Sequence, residues 1–355
     1  MIYYFATSNN LLSLLQNINI RSVIAALCSL FIAIFCAPFI IQILKKHQTE
    51  GQPIRHDGPQ THKEKAGTPT MGGIIIILAS LLSCALFCNM TNPLVLTALG
   101  VFVFFGILGF LDDYLKVIKK DHKGVRPRHK FMAQIALSIV IYLIISHLSD
   151  CDCNKVFIPA CKDLYIDLGI LFLPFIVLVI TGSSNAVNLT DGLDGLAIVP
   201  VCITLSCYAY IAYCISISSP SDIFPLPIQY LAELSVLCAA VIGSGIGFLW
   251  FNAKPAQIFM GDTGSLALGG LIGTLSIMTK QELLLVLIGG VFVAEALSVI
   301  VQVVYFKSTK GKRIFKMAPL HHHYEQSGMS ETKVVARFWI AALVCAAVGM
   351  LIYFL

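Results

Sequence analysis

Ten stretches of this 355-residue chain run almost without charge, at about residues 22–44, 71–88, 93–111, 131–148, 168–184, 195–217, 228–250, 265–279, 283–306 and 337–355. A helix that crosses the hydrocarbon core of a bilayer needs roughly 20 apolar residues. The stretches are continuously apolar rather than alternating, which predicts helices and excludes a membrane barrel. The eighth is short and rich in glycine, and only Asn89 to Asn92 separate the second from the third, as in a tight hairpin. Charged residues make up 12% of the chain, against roughly 25% in an ordinary soluble domain. A soluble enzyme, a nucleic-acid module, a coiled coil and a disordered chain are thereby excluded. The expected fold is an all-α polytopic membrane protein of about ten transmembrane helices, in one integral-membrane domain over residues 1–355.

The basic residues give the expected sidedness. Of the 24 Lys and Arg residues, only Arg21, Lys155, Lys162 and Lys280 fall outside the loops that follow odd-numbered stretches. Positive charge collects on the cytoplasmic side, so those loops are expected in the cytoplasm and both termini outside. Residues 1–20 contain no Lys or Arg, so the positive start of a cleavable signal is missing. Cys151, Cys153 and Cys161 share one loop on the oxidising side, where two could pair or all three stay free. The other nine cysteines lie in apolar stretches as small packing residues.

Five segments hold nearly all the unusual polar residues: His56 to Gly73, Gly109 to Lys130, Asn185 to Gly195, Phe251 to Ser265 and Ala318 to Glu325. The sidedness argument puts all five on one face. Polar loops without a shared purpose would divide between the two faces.

Asp112 and Asp113 follow an apolar stretch directly. Neighbouring side chains on a helix point about 100° apart, so one acid can face a metal while the other orients a Lys, water or substrate. Helix C-termini disfavour anions, so two carboxylates there call for a cation, unless they form a solvated helix end. Asp191 and Asp194 sit in "NLTDGLDG" with Asn188. That set suits a metal, a ribose or a base edge, or else an Asx turn with Asp194 as a helix cap. Asp262 in "GDTGS" suits Mg²⁺ beside phosphate oxygens, or a simple N-cap. His321, His322 and His323 lack the partners of a zinc site. They suit hydrogen bonding to phosphate or sugar, or form a polar loop. Glu295, inside the ninth stretch, is either functional or paired with a neighbouring helix. Hard carboxylates without soft ligands point to Mg²⁺, and the Lys and His residues to phosphate. A site at the membrane boundary suits phosphoryl transfer between one soluble and one lipid substrate.

At "FLDDYLK", "NAVNLTDGLDG", "FMGDTGSLALGG" and "APLHHHYE" the chain resembles the polyprenyl-phosphate N-acetylhexosamine-1-phosphate transferases, from about residue 45 to the C-terminus. The resemblance implies a ten-helix fold, usually a homodimer, in the bacterial inner membrane, with Mg²⁺ in a cytoplasmic cleft and no nucleic-acid partner. "PLHHHYE" and "HKEKAGTPTMGG" resemble the branch whose donor is UDP-N-acetylmuramoyl-pentapeptide. Its acceptor is undecaprenyl phosphate and its products are lipid I and UMP. The resemblance makes Asp112, Asp113 and Asp262 the catalytic acids, with Mg²⁺ on Asp262 and Asp113 beside it. It assigns Asn188, Asp191, Asp194, Asn252 and Phe259 to the nucleoside region, Phe259 stacking on uracil. Lys65, Thr70, Gln302, His321 and His322 become substrate contacts, and Lys130 a phosphate-binding lysine. The cysteines of 149–167 and the segment "GVRPRHKF" depart from the family pattern.

Rival readings predict other features. A UDP-N-acetylglucosamine transferase of the same family would differ at the His run. A prenyl transferase would carry two DDxxD-like motifs, and only Asp112-Asp113 is such a pair. A transporter would string charges along a midplane path, whereas only Glu233 and Glu295 are acids well inside the stretches.

Overall fold

Small residues set how closely the helices of this chain approach. The computed structural model describes residues 15–48, 67–119, 124–149, 153–161, 164–217 and 226–355. Its helices are α1 (Ile18–His47), α2 (Gly73–Phe87), α3 (Pro93–Val117), α4 (Pro127–Leu148), α5 (Phe172–Thr190), α6 (Ile198–Ile217), α7 (Ile228–Asn252), α8 (Gly261–Met278), α9 (Glu282–Ile288), α10 (Gly290–Ser308), α11 (Leu320–Gln326) and α12 (Glu331–Phe354). Helices in lipid gain little from burying apolar surface against each other, so close packing of small side chains decides association. On α1 the buried stripe is Ala25, Ser29, Ala33 and Ala37. It faces α7 at Gly243 and Gly247, where an added Cβ would meet the Ala26 and Leu30 carbonyls. Eight helical segments among the described residues are long and apolar enough to span a membrane, and α2 is a shorter apolar helix.

The bundle is organised around α8, which is buried at every position from Thr263 to Met278. Helices α3 and α5 pack most extensively on its two sides. Each expected stretch corresponds to helix, with three corrections. The ninth is not continuous: it breaks at Gly289 into α9 and α10. The Gly289-Gly290 pair carries no side chain there and lies against α12, where a Cβ on Gly290 would come within 2.8 Å of Cys345 Sγ. Helix α3 runs beyond residue 111 to Val117, and α8 begins at Gly261 rather than 265. Asp112 and Asp113 therefore lie within the helix that the sequence ended just before them, and Asp262 in the first turn of α8 rather than at its N-cap. The His run also lies in a helix, the short α11.

The end of the bundle away from these acids is tied by buried charges. Arg21 pairs with Glu233, whose other oxygen accepts the Asn89 amide at 2.9 Å. This accounts for Glu233 as a structural acid joining α1, α7 and the α2–α3 hairpin. Strands β1 (Lys155–Phe157) and β2 (Tyr165–Asp167) pair antiparallel with Val156 opposite Ile166. Lys280, fully buried, donates to the carbonyls of Cys153 and Lys155 at 2.5 and 3.1 Å and lies over the Phe172 ring. Cys153 is buried and Cys161 exposed, both as free thiols, so these two do not form the disulfide considered above. Cys151 lies outside the described residues.

Gly109 of α3 gives the tightest constraint near the acids, because a Cβ there would lie 2.1 Å from the Asp262 carbonyl oxygen. Backbone cannot yield as a flexible side chain does, and overpacking of this kind costs about 1–3 kcal/mol. Gly109→Ala should lower the melting temperature of the detergent-solubilised protein. An unchanged melt would contradict the direct contact of α3 with α8.

Candidate active site

The first amides of an α-helix have no acceptor within the helix. For α8 the acceptor is Asp113 of α3. Its Oδ1 takes the Asp262 amide at 3.2 Å, and its Oδ2 takes the Thr263 amide at 3.0 Å and the Thr263 hydroxyl at 2.8 Å. Asp113 is buried. Asp112, the next position round α3, faces elsewhere, as the 100° step requires. Its Oδ1 accepts the Val125 amide at 2.8 Å, and its Oδ2 pairs with the ammonium groups of Lys116 at 2.5 Å and Lys130 at 3.5 Å.

Both ammonium groups also reach Asp262. Lys130 Nζ lies 2.7 Å and Lys116 Nζ 3.4 Å from its Oδ2, while Asn188 Nδ2 donates to its Oδ1 at 2.8 Å. Asn188 donates as well to Ser265 Oγ, one turn further along α8. Helices α3, α4, α5 and α8 thus contribute to one node of two carboxylates and two ammonium groups. Asp191, half-buried where α5 ends, belongs to the same neighbourhood. Burial pushes its carboxyl up to about 8, the charges of Asp262 and Asp113 add to the push, and the Gly261 amide opposes it. Among the described residues no three His, Cys, Asp or Glu side chains form a ready-made metal cage.

The remaining segments close around this node. Residues 69–73 run beside 259–260: Phe259 N donates to Pro69 O, Gly72 N to Phe259 O and Gly73 N to Met260 O. Thr70 is held by Gln48, which accepts its amide at 2.9 Å, while its buried hydroxyl has no partner among the described residues. His321 is buried with Nδ1 3.0 Å from Glu295, and His322 Nδ1 lies 2.9 Å from Glu325. Gln302 accepts the amides of Ile314 and Phe315.

The chain matches the model of glycosyl transferase family 4 over residues 95–280, and signature 1 of the phospho-N-acetylmuramoyl-pentapeptide-transferases over residues 65–77. Proteins called phospho-N-acetylmuramoyl-pentapeptide-transferase from Rickettsia felis and Rickettsia prowazekii are each 49% identical over 344 residues, covering 97% of this chain and 95% of each relative. The relative from Rickettsia bellii is 49% identical over 346 residues. The chain belongs to the phospho-N-acetylmuramoyl-pentapeptide-transferase family.

Measured against the residues expected of this family, Asp112, Asp113, Asp262, Lys130, Asn188 and Asp191 come together. Lys65 lies outside the described residues. Asp194 and Asn252 are buried cross-links between loops: Asp194 Oδ2 accepts the Ala256 amide, and Asn252 joins the Gly195 amide to the Ile258 carbonyl. Sequence reasoning did not single out Lys116, Ser265, Gln48 or Glu331. Lys116 carried a signal, since it stands four residues after Asp112 on one helix. Glu331 carried none; from the start of α12 it accepts the Asp194 amide at 3.1 Å and pairs with Lys254 at 2.5 Å.

Removing a buried partner strands its hydrogen-bonding groups at a cost of about 1–3 kcal/mol. Asn252→Ala should therefore lower the melting temperature by several degrees. A wild-type melt together with lost ligand binding would make Asn252 a ligand contact instead of a cross-link.

Proposed function

We propose that the protein transfers phospho-N-acetylmuramoyl-pentapeptide from its UDP carrier to undecaprenyl phosphate, giving lipid I and UMP. The site would face the cytoplasm from the bacterial inner membrane, in what we take to be a homodimer. The observation that carries the reading is the Asp112–Lys116–Lys130–Asp262 node at the start of α8. Ammonium groups already shared between two carboxylates can turn to phosphate oxygens when a diphosphate arrives, at little extra desolvation cost.

The donor set fits Mg²⁺. It is all hard oxygen with no sulfur, and Mg²⁺ is commonly held by one or two carboxylates together with waters and phosphate oxygens. Asp113 and Asp191 add further carboxylate oxygen beside Asp262. Asp262 would hold the ion, with Asp113 behind it aiming the helix turn that carries Asp262. When bound, the ion would neutralise charge that develops on the diphosphate.

Lys130 and Lys116 bind the phosphates of donor and acceptor and hold them in line. Asn188 fixes the rotamer of Asp262 through its second oxygen. An acceptor phosphate monoester has a second pKa near 6 and is largely dianionic at neutral pH, so Asp112 acts by positioning rather than as a strong base. The acceptor oxygen attacks the β-phosphorus and UMP leaves, in a single displacement. Asp191, Phe259 and Thr70 line the nucleotide side. Gln302 and His322 complete the wall, the buried His321 supports it from behind, and Asp194 and Asn252 hold its loops.

Purified protein given UDP-N-acetylmuramoyl-pentapeptide, undecaprenyl phosphate and Mg²⁺ should release UMP, and chelation of the metal should stop it reversibly. Asp262→Asn should cut the rate at least about 10²-fold, as loss of one preorganised electrostatic group does elsewhere. Wild-type turnover by that variant would remove Asp262 from the chemistry. UMP released without acceptor, with sugar phosphate trapped on the protein, would replace the single displacement by a covalent route.

A further inference from the structure

Glu295 is a fully buried acid on α10, a helix whose other buried residues are Val291, Phe292 and Ser298. An ionised carboxylate in an apolar span is costly unless donors satisfy it. Both its oxygens are used, and both donors belong to one residue: the His321 amide at 3.1 Å on Oε1 and His321 Nδ1 at 3.0 Å on Oε2. The amide is one of those that the start of α11 leaves without an internal acceptor. The ring contact decides where the imidazole proton sits. A neutral imidazole has one N–H, and facing a carboxylate it belongs on Nδ1.

The other ring nitrogen, Nε2, is buried and has no hydrogen-bond partner among the described residues. A buried donor without an acceptor is rarer and costlier than an acceptor without a donor, so Nε2 carries the lone pair. That edge is packed on Gly192: a Cβ there would come within 2.2 Å of Nε2 and 2.9 Å of Cε1. Gly192 lies between Asp191, at the charged node, and Asp194, the loop cross-link. The ring is the floor beneath this loop, and Glu295 is what holds the floor.

We propose that Glu295 is a positioning residue for donor binding: it fixes the tautomer and angle of His321, and His321 in turn fixes the loop from Asp191 to Gly195. The proposal rests on the reading of this loop as the nucleotide side of the site. It predicts a defect in binding rather than in the chemical step, because neither group touches the phosphates.

The test uses the full chain in detergent and has two arms. In the first, ¹⁵N-histidine spectra of the wild type should show His321 with its proton on Nδ1, and Glu295→Gln should redistribute it. This arm involves no substrate, so it stands or falls apart from the identity of the reaction. In the second, Glu295→Gln should raise the donor KM and the Kd for UMP at least about tenfold with kcat nearly unchanged, the size of effect seen when a group orienting a site residue is lost. Gly192→Ala, which displaces the same ring from the opposite side, should do likewise. A His321 proton on Nε2 in the wild type would overturn the proposal. So would a Glu295→Gln protein that melts lower yet keeps the wild-type donor KM and UMP affinity.

Discussion

The first turn of a helix has amides to satisfy and no acceptor for them within the helix. In this protein Asp113 supplies the acceptors, reaching from α3 to the first turn of α8 with both carboxylate oxygens. The rest of the site follows from that join. It sets the height of Asp262 against Asp112, and therefore which lysines reach both. It needs the close approach that Gly109 permits, where the α3 backbone meets the Asp262 carbonyl. It also fixes the direction of α8, along which Ser265 receives Asn188 from α5. A carboxylate that reads as chemistry in the sequence is at the same time the peg on which the central helix hangs.

The charge balance at the node is local. Two carboxylates and two ammonium groups share three oxygen–nitrogen contacts of 3.4 Å or less. Buried charges persist only when paired or hydrogen-bonded, and these pairs tie α3 to α4 and α8, with Asp112–Lys116 the one made inside α3. A site built this way is stable without substrate, yet its cations can exchange carboxylate for phosphate. The opposite end of the bundle uses buried charge differently. Arg21 with Glu233, and Lys280 with the hairpin carbonyls, tie backbone segments together.

The helical stretches were legible because continuous apolar runs have few structural options. The divergence of Asp112 and Asp113 was legible from helix geometry, and polar segments were expected to share one site, as Asp112, Asn188 and Asp262 do. What stayed hidden depends on contacts between distant residues. Nothing local marks Asp194 and Asn252 as cross-links rather than ligand contacts, since a buried amide and a binding amide have the same composition. Glu233 and Glu295 look alike in sequence, each a lone acid in an apolar run. Only their partners, Arg21 in one case and His321 in the other, distinguish a structural tie from a residue beside the site. The break at Gly289 also escaped a hydropathy reading, because a glycine pair does not lower apolarity enough to end a span.

Hydrogen–deuterium exchange at the start of α8 tests the central join directly, in wild-type protein and in Asp113→Ala reconstituted in lipid nanodiscs. The amides of Asp262 and Thr263 should be strongly protected in the wild type. In the variant they should exchange much faster, while the far half of α8 stays protected. Equal protection of these two amides in both proteins would contradict the account, since some other acceptor would then hold the helix start and Asp113 would be free for a different task.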